Sequence, residues 1–190
     1  GETERLWYEG LNENASLDRD QVRSLNQLEA CRSLFRIDAS LPIASLVSGE
    51  RLRGLNYLLT DGLIETRFQG AYRRVQHEKL QSHDQYDNDV AQQLRSLLNL
   101  AHKIVDPFEQ SLFLLAYITR LAPFHSANAA TARAAANLAL LKHRLPPLIF
   151  SECQRDHYEY AFSQLLEQHD ISGLIKLFIT TYEQDCLHFK

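Results

Sequence analysis

The sequence predicts an all-α domain carrying a small β-hairpin flap, and three observations lead there. Apolar residues recur at three- and four-residue steps along nearly all of the 190 residues, the period of amphipathic helices. Glycine and proline are sparse, at seven and five, too few for a turn-dense all-β, collagen-like or disordered chain. One stretch, 65–83, departs from the helical period with a loose alternation. At this length roughly 70% of the unfolded chain's surface can be buried, so a core forms without disulfides or metal.

In chain order, Leu17, Val22, Leu25, Leu28, Cys31, Leu34 and Phe35 form one face of a helix over Ser16 to Phe35. A second helix runs from Ser48 to Leu59 with Leu52, Leu55, Leu58 and Leu59 on one side, Ser48 as its N-cap and Asp61-Gly62 as its stop. Between Glu65 and His83, Thr66, Phe68, Tyr72 and Val75 read as an extended piece or small hairpin on the helical body. A third helix covers Asp87 to Val105 and ends at Asp106-Pro107, because the residue before proline is pushed out of helical geometry. Pro107 to Leu121 is apolar nearly all round, which places it at the bundle centre. A helix from about Asn128 to His143 stops before Pro146-Pro147. Two more follow around Cys153 to Glu167 and Ile171 to Leu187, the last led by Asp170 and Ser172 as caps.

Net charge is −4 and the pI is about 6.1, which argues against a nucleic-acid partner, since counterion release needs a basic face. No apolar run approaches the ~20 residues of a membrane span, so no membrane partner is expected. Three scattered cysteines (Cys31, Cys153, Cys186) point to a reducing cytoplasm. Methionine is absent even at position 1, so the chain reads as an excised piece with Gly1 a tag scar. Cys153 and His157, four residues apart on one helix, read as a structural pair, because no second pair completes a metal site; no metal is assigned. Arg73-Arg74 beside Tyr72 reads as an anchor for the flap.

The most unusual window is 121–141. Pro123-Phe124 closes a loop, and seven alanines among the ten residues from Ala127 to Ala136 then open a helix. A helix start carries unpaired N–H groups and partial positive charge and can receive a phosphate, and small side chains let the backbone approach it. The residues alone favour a simpler reading, a close-packed core helix.

This window resembles the Fic (Fido) family, whose signature is His-Pro-Phe-x-Asp/Glu-Gly-Asn-Gly-Arg-x-x-Arg followed by an apolar helix with Asn-Leu and a Pro-Pro end. Pro123, Phe124, Asn128, Arg133, Asn137, Leu138, Pro146 and Pro147 match without a gap. Upstream, Phe68-Gln-Gly-Ala-Tyr-Arg73 looks like the family's segment leading into its flap; downstream, Tyr158-Glu-Tyr and the run from Ile171 to Phe178 resemble its closing helices. The resemblance covers roughly Ala44 to the end. It implies an N-terminal helical extension over 1–43, a Fic-like helical bundle with its flap over 44–190, and AMP transfer from ATP, with Mg, onto a protein hydroxyl.

The departures from the signature bear on that activity. Ala122 stands where the family's histidine takes the target's proton, a loss typically worth about 10²–10⁴-fold in rate. Ser126 replaces the metal-binding acid, Ala130 replaces the first arginine, and Ala127 and Ala129 replace the loop glycines. Asn128 and Arg133 remain for nucleotide or phosphate, alongside Ser126, Ala127 and Ala129. His125 is the only nearby substitute base, and a packing or surface role suits it better. Ala44 to Glu50 resembles the family's inhibitory Ser/Thr-x-x-x-Glu-Gly/Asn motif, with Ser48 and Gly49 at the Glu-Gly positions, so the glutamate is absent unless Glu50 serves out of register. Gly70, Tyr72 and Arg73 would dock a target or partner protein at the flap.

The expectation is therefore a catalytically deficient pseudoenzyme, a protein-interaction or weak nucleotide-binding module in the cytoplasm, or in a host cytosol as a secreted effector domain. The alternatives are an active transferase, with Ala122 replacing a natural histidine or His125 serving as base, and a structural or dimerisation domain.

Overall fold

The computed structural model describes residues 17–74 and 84–188. Its helices are α1 (Arg19–Phe35), α2 (Ile43–Leu46), α3 (Gly49–Thr60), α4 (Asp84–Ala101), α5 (Pro107–Leu121), α6 (Asn128–Lys142), α7 (Arg155–Gln168) and α8 (Ser172–His188). Two 3₁₀ turns, Thr66–Phe68 and Glu152–Gln154, join them. Among the described residues there is no sheet, only one antiparallel bridge between Tyr72 and Phe124.

Capping chemistry sets the helix starts. Asp18 caps α1 by accepting from the Asp20 and Gln21 N–H groups, and Gln21 returns the bond to the Asp18 N–H, a reciprocal capping box. Ser48 Oγ accepts from the Arg51 N–H at the start of α3, as the sequence predicts. Asp106 accepts from the Phe108 and Glu109 N–H groups, with Pro107 at the first helical position. Asp170 Oδ1 accepts from the Ser172 N–H.

α5 and α6 form an antiparallel pair at the centre, with α1, α2 and α3 packed on α6 and α4, α7 and α8 on α5. The sequence puts α5 at the centre, but α6 is at least as enclosed. Thr131, Ala132, Ala135, Ala136, Leu138, Ala139 and Leu140 have no exposed surface, and alanine lets neighbouring helices approach from several sides. The reading of α6 as a close-packed core helix is thus met from Thr131 to Leu140, apart from the half-buried Arg133 and Asn137. Asn137 fixes the chain beyond α6, donating to the Leu148 carbonyl at 3.1 Å and accepting from the Leu148 N–H at 2.7 Å.

The flap reading needs correction over its first half. Thr66–Phe68 is a 3₁₀ turn, not an extended strand. Gln69 Nε2 donates to the carbonyls of Thr60 and Ile64, folding the segment back on the end of α3. At Gly70, φ is +63° and a Cβ would stand 2.7 Å from the Arg53 carbonyl oxygen, so the chain can pass here only as glycine. The expected hairpin beyond Arg74, with Val75, His77 and His83, lies outside the described residues, as do residues 1–16. Cys153 sits in the 3₁₀ turn ahead of α7 rather than on one helix with His157, its sulfur 3.0 Å from Ser151 Oγ. No described helix is long and apolar enough to cross a membrane.

Candidate functional site

The loop from Leu121 to Asn128 is built almost entirely by polar groups gripping its backbone. α5 ends at Ala122 in left-handed geometry (φ 44°, ψ 61°), its N–H donating to the Ile118 carbonyl. The Arg73 guanidinium then holds the free end of α5: Nε donates to the Ala122 carbonyl at 2.5 Å and Nη2 to the Leu121 carbonyl at 3.1 Å. A cation among the last carbonyls of a helix also opposes its dipole. The Arg73 N–H donates to the Pro123 carbonyl at 2.8 Å, and the Tyr72 ring stacks on Phe124 with centroids 5.5 Å apart.

Two asparagines complete the grip. Asn128 Oδ1 accepts from the Phe124 N–H at 2.8 Å while its Nδ2 donates to the Phe124 carbonyl at 2.9 Å, so both ends of the amide are engaged within the loop. Asn56 has no exposed surface. Its Nδ2 donates to the Ser126 carbonyl (2.8 Å) and Thr131 Oγ1 (3.1 Å), and its Oδ1 accepts from the Gly70 N–H (3.2 Å). One side chain on α3 thereby ties the loop, the first turns of α6 and the segment leading to Tyr72. Sequence reasoning missed it. The available signal was a lone amide among Leu52, Leu55 and Leu59 on the buried helix face.

At the position of the family histidine the chain presents only the half-buried methyl of Ala122. The His125 ring is exposed and packs on Phe68, centroids 4.5 Å apart. Ala127, left-handed at φ 56°, precedes α6 without a side-chain cap, so the N–H groups of its first turn lack intrahelical partners.

Ala129 and Ala130 on that turn line an open groove of about 1010 Å³ together with Arg133, Asn137, Phe150 and Tyr158. Across it, α1 contributes Ser24, Gln27 and Cys31. Arg133 is half-buried; its Nη1 donates to the Tyr158 hydroxyl at 3.4 Å and its guanidinium carbon lies 5.5 Å from that ring's centroid. Burial pushes the Tyr158 hydroxyl above its ordinary pKa, opposed in part by the Arg133 charge. Partial desolvation likewise raises the Cys31 thiol, opposed by the same charge.

Ser48 and Gly49 lie elsewhere, in a separate cavity with Tyr72, and do not line the groove that holds Arg133. The helix facing Arg133 is α1, a placement the sequence reading did not foresee.

The donor set around the loop does not suit a hard divalent cation. Ser126 brings a neutral hydroxyl, its carbonyl already accepts from Asn56, and no group of three or more His, Cys, Asp or Glu converges among the described residues.

The family model described as Fic/DOC family matches residues 47–140. Among solved structures, the chain is similar to Fic-1 (residues 134–508) from C. elegans, with TM-score 0.79, 18% identity and 98% of this chain covered. It spans about 55% of that chain. It is also similar to a Fic domain-containing signaling protein from Bacteroides thetaiotaomicron, with TM-score 0.70 and 15% identity, covering 96% of this chain and 76% of that one. No curated protein is close enough in sequence to match.

Proposed function

We propose that this chain, which carries a Fic/DOC-family domain, is a Fic-fold binding module that holds a phosphate-bearing ligand weakly and presents a protein-docking face without transferring AMP. The observation that carries this reading is the contrast between an intact loop backbone and its unreactive side chains. Ala122 offers no proton acceptor, and Asn128 spends its amide on Phe124. Arg133 lines the groove beside the open first turn of α6, and the groove's other arginine, Arg155, is paired with Glu159 at 3.5 Å.

The family's ATP with Mg enters only as a ligand to be tested. The loop residues do not fit the metal, and no chemical step is derived through it. What they can do is hold an anion: the first-turn N–H groups and the Arg133 guanidinium supply donors and positive charge at one wall of the groove. The protein partner would meet the edge beginning at Tyr72, whose far side already pairs with Phe124.

The test is twofold. Incubating the chain with labelled ATP and candidate target proteins should leave the targets unlabelled, and calorimetry with ATP should show weak binding that falls at least tenfold in Arg133→Ala. Label transfer at an enzyme-like rate by the chain itself would overturn the reading.

The left-handed backbone at Ala122, held by Arg73, favours one alternative, an active transferase whose natural residue at 122 is histidine. Under it, Ala122→His alone restores transfer. Under our reading it does not, because Ser126 and Ala130 still stand where a metal ligand and an anion clamp are needed.

A further inference from the structure

A second cavity, of about 480 Å³, lies between α2, α3, α4 and Tyr72, away from the Arg133 groove. That volume lies within the range of small-molecule sites. Two arginines from different helices, Arg53 on α3 and Arg95 on α4, line it with the Tyr72 ring and hydroxyl. Arg53 is oriented by its Nε donating to the Gly70 carbonyl at 3.0 Å, with its guanidinium 5.7 Å from the Tyr72 ring centroid. Arg95 takes part in no ion pair with a described residue. Both guanidinium charges reach the Tyr72 hydroxyl, holding its proton less tightly against a larger upward effect of burial.

The Tyr72 hydroxyl is fixed beside the first turn of α3, 3.1 Å from where a Cβ on Gly49 would stand. Glycine at that position therefore keeps space in front of the hydroxyl. Glu50 lines the same cavity without an ion pair to either arginine among the described residues. Two cations against one carboxylate leave a net positive charge, and the carboxylate favours a ligand that also brings a hydroxyl or amine donor.

From this arrangement we infer that the cavity is a second ligand site, taking a small phosphate ester whose phosphoryl group sits between Arg53, Arg95 and the Tyr72 hydroxyl while a hydroxyl on its body donates to Glu50. Guanidinium forks match phosphate oxygens geometrically as well as electrostatically. The site is independent of the Arg133 groove, so the two can be tested apart.

Calorimetric titration with inorganic phosphate and with glycerol 3-phosphate, at constant ionic strength, reads the proposal directly. Apart from any weak Arg133-dependent binding, the cavity should take one equivalent of each probe, the ester more tightly. Arg95→Ala should weaken both at least tenfold, Tyr72→Phe several-fold, and Arg133→Ala less than twofold. Glu50→Ala, which leaves no acceptor for the ester's hydroxyl, should remove the preference for the ester. Circular dichroism checks that each variant is folded, and because Arg95 pairs with no described residue its loss should leave the fold intact. Absence of saturable binding, binding unchanged in Arg95→Ala, or binding abolished by Arg133→Ala would overturn the inference.

Discussion

The loop between α5 and α6 and the groove beside it share a helix start but use their polar groups in opposite ways. In the loop, Arg73, Asn56 and Asn128 direct their donors and acceptors at backbone atoms and, for Asn56, at the Thr131 hydroxyl as well, so the charge and amides of this region are consumed in holding its shape. In the groove, Arg133 leans on Tyr158 through a long contact, and its guanidinium has capacity left for an incoming anion. Polar character alone therefore does not mark a functional residue. What distinguishes the two regions is whether the hydrogen-bonding capacity is already filled.

Four substitutions test that distinction, the largest effect first. Asn56→Ala removes three contacts from a fully buried side chain and leaves the Gly70 N–H and Ser126 carbonyl unsatisfied. We expect a loss of about 2–4 kcal/mol in urea unfolding. Arg73→Ala releases the carbonyls at the end of α5 and should cost about 1–2 kcal/mol by the same measurement. Arg133→Ala, by contrast, should cost only about 0.5–1 kcal/mol, the scale of its stacking on Tyr158. If Arg133→Ala destabilises more than Arg73→Ala, the division between holding and ligand-facing arginines is wrong.

The smallest effect is one of pH. The Tyr158 hydroxyl has a raised pKa in the folded state, chiefly from burial. The folded chain therefore retains that proton at a pH where the unfolded chain has begun to lose it. The sign follows: this contribution is intact below the ordinary tyrosine pKa of about 10 and is lost as pH rises through the higher folded value. Tyr158→Phe should flatten the fall in melting temperature over that alkaline range and leave the neutral-pH slope unchanged.

Much of the scaffold was legible in the sequence because its signals are local. The Ser48 cap, the Asp106-Pro107 break and the Asp170 cap each sit where a short-range rule places them. So does the apolar period of α3, with Leu52, Leu55 and Leu59 buried. The 3₁₀ turn at Thr66–Phe68 was not legible, because it depends on Gln69 reaching carbonyls at Thr60 and Ile64. The short helix Ile43–Leu46 escaped because four residues carry no period.

At the candidate site, a resemblance of motif located Ala122, Asn128 and Arg133, but motif spacing says nothing about what each side chain touches. That Asn128 closes its own loop, that α1 rather than the Ser48–Gly49 segment faces Arg133, and that Asn56 joins three segments are all long-range facts. They follow from packing between elements far apart in sequence.

Ala122 and Ala127 bracket the loop, both in left-handed backbone, a region alanine occupies at a cost that glycine avoids. That neither residue has relaxed the turn means the surrounding grip from Arg73, Asn56 and Asn128 dictates the backbone path whatever stands at its ends. The direction in which residue 122 projects is thus inherited from its neighbours rather than from its own identity.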